Sequence, residues 1–227
     1  MSTQKELRKS LELGVKAALE QRSFRRKGRT TRYVSRDMVE PPLEAELLVG
    51  VDSDRYGAVR IMGSADIVVP EVEEFLAGAV PPSALSEVDE LYYGRAPFYV
   101  AMEIFAKIDG VPRNAPLEWR AHSPEDALAT LEEFTGFIDG PVRRWIDDHS
   151  SISAIRAAPA AGGPGAHGSI VRGVAALEVI LGDVDAAVAR LLAYRNQPSR
   201  SDSPERIQAF ITWLKQAAAE RRSADSS

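Results

Sequence analysis

Cysteine is absent from this chain of 227 residues, and histidine occurs only three times. Without thiols the chain forms no disulfide, thiolate nucleophile, iron–sulfur cluster or cysteine-ligated zinc site. The histidines, His122, His149 and His167, lie far apart in the sequence, and no second histidine follows any of them at the i+4 position. We therefore expect neither a metal ion nor a cofactor.

Long hydrophobic runs and several common catalytic motifs are also missing. No stretch approaches the ~18 apolar residues that a membrane-spanning helix requires, and the charged residues of segment 1–20 interrupt any signal-peptide core. The chain has neither the G-x-x-x-x-G-K-[ST] phosphate loop nor the G-x-S-x-G elbow of serine hydrolases. The expectation is a soluble cytoplasmic protein with no membrane partner, and the sequence favours a non-enzymatic role with no catalytic residue assigned.

The charge is distributed unevenly along the chain. The net charge is −5, yet residues 1–36 hold 11 Lys/Arg and 3 Asp/Glu, a net charge of +8. Seven cations fall within the basic segment, residues 22–36, with no acid among them: Arg22, Arg25, Arg26, Lys27, Arg29, Arg32 and Arg36. Such a field suits an acidic partner surface, a phosphate or a nucleic acid. The alternative is a solvated turn and edge strand whose charges discourage edge-to-edge pairing.

Two kinds of hydrophobic period divide the first two thirds of the chain. Apolar residues recur at helical spacing from about residue 4 to 21, which predicts an amphipathic helix. Alternating apolar and polar residues over 43–51, 59–69 and 98–108 then predict strands. Because the connections between these strands include short turns, the pattern favours an antiparallel sheet.

Helical patterns return at Ser123-Pro124, which combines an N-cap hydroxyl with a first-turn proline. Gly140-Pro141 predicts a kink or break in that helix, and Gly182-Asp183 predicts a turn between two later helices. The resulting fold class is α+β: a curved antiparallel sheet packed by helices on one face, followed by a C-terminal helical hairpin and a further helix.

The predicted domain organisation has four parts. Residues 1–156 form a two-layer α+β domain, and the Gly/Ala/Pro-rich stretch 157–168 has the composition of a flexible linker. Residues 169–222 form a helical C-terminal segment, and the polar residues 223–227 read as a disordered tail.

The sequence Ser23-Phe24-Arg25-Arg26-Lys27-Gly28 follows the first predicted helix; Trp119 precedes the Ser-Pro-capped helix, and Trp145 lies on the next one. This order resembles an uncharacterised bacterial family of domains of unknown function, over about residues 4–155. That family typically has glycine where this chain has Ser23. The resemblance implies a two-layer α/β domain and brings no catalytic residues with it.

Two further groups of residues are candidates for a site. Tyr92, Tyr93 and Arg95 form a loop cluster with the composition of a protein-binding hot spot, unless the tyrosines close the edge of the core. On the non-core side of the strands, an open sheet face could bring together four charged side chains: Glu44, Glu46, Arg60 and Asp66. That face would suit general acid–base chemistry or a small ligand, or would simply be solvated.

These observations leave three functional hypotheses. The leading one is a non-enzymatic protein-binding module, of immunity or adaptor type by analogy with small acidic proteins of bacterial toxin–immunity loci. It would act through the acidic body of the protein or through the Tyr92–Arg95 loop. The candidate binding residues of the chain as a whole are Arg22, Arg25, Arg26, Lys27, Arg29, Arg32, Tyr92, Tyr93 and Arg95. The alternatives are an enzyme or small-ligand binder using the open sheet face, and a nucleic-acid binder using the basic segment. The oligomeric state is not predicted.

Overall fold

A computed structural model describes residues 2–28, 30–77, 98–101, 119–158, 168–198, 200 and 202–225. The strands in these ranges are β1 (Arg25–Arg26), β2 (Arg32–Ser35), β3 (Glu44–Ser53), β4 (Val59–Val68), β5 (Phe98–Ala101) and β6 (Trp119–Ala121). The helices are α1 (Ser2–Glu20), α2 (Pro70–Ala77), α3 (Asp126–Phe137), α4 (Arg143–Asp148), α5 (Ile152–Ala157), α6 (Gly168–Ile180), α7 (Val184–Arg195) and α8 (Pro204–Asp225). The predicted α+β class is confirmed, with an antiparallel sheet and helices at the C-terminal end.

The chain divides into two compact units. The first comprises Met1–Ile67 and Tyr99–Ser150, and the second comprises Val68–Phe98 and Ser151–Ser227. This division differs from the predicted domain boundary after residue 156, because α2 packs with the C-terminal helices. The ring centroids of Phe75 on α2 and Trp213 on α8 lie 5.2 Å apart. Local sequence patterns do not predict this long-range contact.

The sheet of the first unit has the order β1-β2-β3-β4-β5, with β6 also paired to β4. The pairs β1–β2, β2–β3 and β4–β6 are antiparallel, with Arg25 opposite Val34 and Tyr33 opposite Leu47. Since side chains alternate across a strand, residues Tyr33, Ala45, Leu47 and Val49 share one face, and all four are buried. Helix α1 packs at β3 and buries its apolar stripe, which is Leu7, Leu11, Val15 and Leu19.

Helix α1 ends in a Schellman motif. The backbone N–H of Phe24 donates to Leu19 O at 3.0 Å, and that of Ser23 donates to Glu20 O at 3.2 Å. This motif requires a left-handed residue, and Ser23 has φ +65°. In the second unit the same motif joins α6 to α7, and there Gly182 holds the left-handed position with φ +85°. A serine at the first of these positions carries strain that a glycine would relieve.

Ser23→Gly is therefore expected to stabilise the first unit. Relief of the left-handed strain outweighs the extra backbone entropy of glycine in the unfolded chain, for a net gain of about 0.5–1 kcal/mol. Urea unfolding followed by tryptophan fluorescence measures the change. Ser23→Ala is the control, because alanine retains the Cβ atom and should bring no such gain. A Ser23→Gly variant that is no more stable than Ser23→Ala would contradict the expectation.

The hydroxyl of Ser123 accepts a backbone N–H as predicted, although the helix begins at Asp126, two residues after Pro124. The carboxylate of Asp126 accepts the backbone N–H groups of His122 and Ser123 at 2.9 and 3.0 Å, and Ser123 Oγ accepts that of Asp126 at 3.3 Å. The hydrogen bond from the backbone N–H of His122 is the main cause that holds the pKa of Asp126 below its usual range, and the bond from Ser123 acts in the same direction. Trp119 on β6 packs edge-on against Phe134 of α3 at 5.1 Å, which joins the helix to the sheet.

The predicted break at Gly140-Pro141 takes the form of a π-helical turn, Ile138–Val142, which links α3 to α4. Proline removes a backbone donor, so the wider turn at this point has a local cause.

The later boundaries differ in part from those predicted. The linker predicted at 157–168 lies mostly outside the described residues, except that α5 ends at Ala157 and α6 begins at Gly168. Helix α8 continues to Asp225, three residues into the tail predicted at 223–227. Among the described helices, none has the length and apolar character needed to cross a bilayer.

Candidate functional site

A charged groove of about 450 Å³ lies where β1 and β2 meet the start of β3. Its floor and walls include Ser23 and Val34 together with six charged residues: Arg25, Arg26, Lys27, Arg36, Asp37 and Glu44. Four cations face two carboxylates, so this lining carries a formal charge of +2. This groove, called the basic groove below, contains much of the basic segment.

The end of α1 positions the first wall of the basic groove. The left-handed turn at Ser23 sends the chain back toward the sheet, and Phe24 is fully buried beneath it. The next two residues, Arg25 and Arg26, form the edge strand β1, which pairs with β2 through Val34 and Tyr33. An anchored aromatic residue thus fixes the two arginines that follow it.

Glu44 lines the basic groove and contacts Lys27, which follows β1, and Arg36, which follows β2. Its Oε1 accepts the Nε–H of Arg36 at 2.7 Å and also a bond from Nη2 of the same guanidinium. Its other oxygen lies 3.7 Å from Nζ of Lys27, which follows β1. Although Lys27 and Arg36 are well exposed, the Glu44 side chain is only 4% exposed. One buried carboxylate therefore contacts two cations, Lys27 and Arg36, and offsets one of their two positive charges.

The two arginines of β1 have no such counter-ion. Arg26 donates its Nε–H to the carbonyl oxygen of Thr30 at 2.6 Å, a neutral acceptor. Both arginines are exposed, and neither makes an ion pair with any residue in the described part of the chain. Their charge is available to an external anion.

The other described cations of the basic segment have internal partners outside the groove. Arg22 forms a two-pronged ion pair with Asp139, with both N–O distances at 2.6 Å. Hydrogen bonding to Arg22 holds the pKa of the Asp139 carboxyl below its usual range, and the same bond raises the pKa of Arg22. Arg32 binds Glu46 at 2.6 Å across the β2–β3 pair. These two cations serve the fold, so the basic segment contains two classes of cation that its sequence does not distinguish.

The prediction of an open sheet face is wrong at three of its four positions. Glu44, Glu46 and Asp66 are each only 3% exposed, so they are not a solvated row of carboxylates. The alternation rule placed Glu44 and Glu46 opposite the core correctly, but the cations of the neighbouring strand cover both of them. Arg60 is half-buried and lies opposite Arg120 in the β4–β6 pair.

Several predicted site residues are outside the structural description. Arg29 and the loop cluster Tyr92, Tyr93 and Arg95 do not belong to the described residues. Conversely, sequence reasoning missed Asp37 as a groove residue and did not include Arg36 among the binding residues. The available signal was the turn between β2 and β3, which brings residues 36 and 44 together at the end of the strand pair.

The basic groove has the chemistry of an anion-binding site. Guanidinium and ammonium groups donate charge-assisted hydrogen bonds to carboxylates and phosphates, and arginine remains protonated at neutral pH. Within the described ranges, no group of three or more His, Cys, Asp or Glu residues is placed to hold a metal ion. The fold and the groove together define an α+β protein with a cationic groove at one edge of its sheet.

Comparison with known proteins adds no assignment, since no protein-family model, curated protein or solved structure matches the chain. The resemblance to an uncharacterised bacterial family stays a prediction.

Proposed function

We propose that this protein is a non-enzymatic module that binds an acidic segment of another protein in the basic groove. The observation that carries the proposal is that Arg25 and Arg26 of the edge strand both line the groove, are exposed, and have no ion-pair partner among the described residues. The strand pairing and the buried Phe24 hold their backbone in place before any ligand arrives. Such preorganisation lowers the entropic cost of binding.

The mixed charge of the groove favours a protein partner over a nucleic acid. A phosphodiester chain presents one sign of charge at every step, and Asp37 and Glu44 would repel it. A peptide can present carboxylates to the two arginines and a donor or neutral side chain to the acids. Charge complementarity of this kind sets specificity and association rate more than raw affinity.

The test uses a fluorescently labelled glutamate-rich peptide as the probe and anisotropy as the measurement. The double variant Arg25→Ser/Arg26→Ser is expected to weaken binding about tenfold, because it removes two exposed charge contacts. Wild-type binding should also weaken as salt is added, because exposed charges are screened.

The control is Arg143→Ser/Arg144→Ser, which removes two consecutive exposed arginines from α4 and changes the net charge by the same amount, although Arg143 is ion-paired with Asp147 at 2.9 Å. It should leave the affinity within about twofold, a change of less than ~0.5 kcal/mol. Equal losses in the two double variants would show nonspecific attraction and sink the proposal. Tighter binding of a single-stranded oligonucleotide than of the peptide, lost in the Arg25/Arg26 variant, would replace it with nucleic-acid binding.

A further inference from the structure

We infer that Glu44 is a specificity-determining residue of the basic groove, an internal anion that admits spaced carboxylates and excludes continuous polyanions. The inference rests on the proposed groove function and names the feature that selects the ligand class. It follows from the contacts of one buried carboxylate with two cations of the groove, Lys27 and Arg36.

Glu44 occupies the place that a ligand anion would take. Arg36 binds one of its oxygens through two nitrogens, and Nζ of Lys27 lies 3.7 Å from the other oxygen. An external anion that contacts these two cations inside the groove also comes close to the Glu44 carboxylate. Glu44 thus offsets one of these two positive charges, whereas Arg25 and Arg26 have no carboxylate partner among the described residues.

Ligands with different charge spacing meet this arrangement differently. A peptide can place its carboxylates on the two arginines and keep neutral atoms near Glu44. A strand of phosphodiesters that follows the groove must bring one of its charges close to the buried carboxylate. In a region of reduced dielectric, like charges repel each other more strongly than they do in water.

Glu46 provides a matched control two residues along the same strand. It is also 3% exposed and forms an ion pair with Arg32 at 2.6 Å, yet it does not line the groove. Glu44→Gln and Glu46→Gln thus remove the same charge from comparably buried carboxylates, each of which is paired with arginine. They differ in whether the released cations face the groove.

The experiment measures binding of a labelled thymidine oligonucleotide and of the glutamate-rich peptide to folded wild type and both variants. We expect Glu44→Gln to tighten oligonucleotide binding about tenfold, because one additional charge contact can contribute this much. Peptide binding should tighten less than about threefold. Its salt dependence for the oligonucleotide should steepen by about 0.7 in log–log slope, as one further phosphate is neutralised. Glu46→Gln should change neither affinity by more than about twofold.

An unchanged oligonucleotide affinity in Glu44→Gln, or an equal gain in Glu46→Gln, would overturn the inference. So would an absence of oligonucleotide binding by every folded variant. Failure of the proposed function has a different signature, namely peptide binding that is indifferent to the Arg25/Arg26 substitutions. The Glu44 comparison can succeed in that case, because its readout is the oligonucleotide.

A second pair of variants keeps the inference testable if Glu44→Gln does not fold. Lys27→Gln and Arg25→Gln each remove one exposed cation from the groove. Because Glu44 already screens Lys27, Lys27→Gln should weaken peptide binding less than about twofold, whereas Arg25→Gln should weaken it about threefold or more. Equal losses would show that Glu44 does not screen Lys27, and the inference would fall.

Discussion

Replacing Phe24 with alanine is expected to lower the free energy of unfolding of the first unit by about 3–5 kcal/mol. The ring is fully buried just after α1 and is among the largest side chains with no exposed surface. Its removal forfeits the apolar transfer free energy and leaves a cavity that the surrounding core closes only in part. The substitution should also loosen the basic groove, because Arg25 and Arg26 directly follow this anchor.

Urea unfolding in a Trp213→Phe background measures this loss, since the remaining tryptophans, Trp119 and Trp145, both belong to the first unit. Leu13→Ala is the control: Leu13 lies on α1 but is 60% exposed, so its truncation should cost no more than about 0.5 kcal/mol. A Phe24→Ala loss no larger than that of Leu13→Ala would contradict the assigned role of Phe24.

The second large effect is expected at Asp202, whose replacement with alanine should destabilise the second unit by about 3–5 kcal/mol. The buried carboxylate forms ion pairs with Arg172 of α6 and, at 3.2 Å, with Arg206 of α8. Removing it leaves Arg172, which is itself buried, without this counter-ion. An uncompensated buried charge costs far more than the intact pair gains.

The backbone of α6 adds to the environment of Asp202. A Cβ atom built on Gly168 would overlap the carboxylate and lie 2.6 Å from its Cγ, so the acid rests against the first residue of that helix. Negative charge at a helix N-terminus is stabilised by the helix dipole. Glycine is needed here for close approach rather than for an unusual backbone angle.

Hydrogen–deuterium exchange of the α6 amides measures the effect, because local opening free energies appear directly in amide protection. Glu74→Ala is the control, since Glu74 is an exposed carboxylate of the same unit on α2. The double variant Arg172→Met/Asp202→Ala should recover part of the loss, because it removes the stranded charge. No recovery in the double variant would show that the cavity, rather than the charge, sets the cost.

Local patterns in the sequence predicted most of the secondary structure. The period of α1, the alternation that predicted β3 and β4, the cap at Ser123 and the turn at Gly182 all correspond to elements of the structure. Each of these features depends on residues within a few positions of one another, because backbone geometry and burial impose a regular spacing of apolar and capping residues. The α+β class followed from the order of these elements.

Local sequence patterns predicted the candidate site only in part. The sequence showed a run of cations, but not that Arg22 is committed to Asp139, 117 residues away, or that Arg32 is committed to Glu46. It showed Glu44 on the non-core side of a strand, but not that Lys27 and Arg36 bury it. A run of charged residues in the sequence gives the number of charged side chains. Which of them form ion pairs depends on strand register and on where the helices lie.

The sequence by itself determined the α+β class, the positions of most elements and the concentration of positive charge near the first helix. Only the tertiary structure decided which cations remain open to a ligand, where Glu44 sits between them, and that α2 belongs with the C-terminal helices. The reason is physical: periodicity and capping arise from neighbours along the chain, while ion pairing and unit boundaries arise from contacts between segments far apart in it.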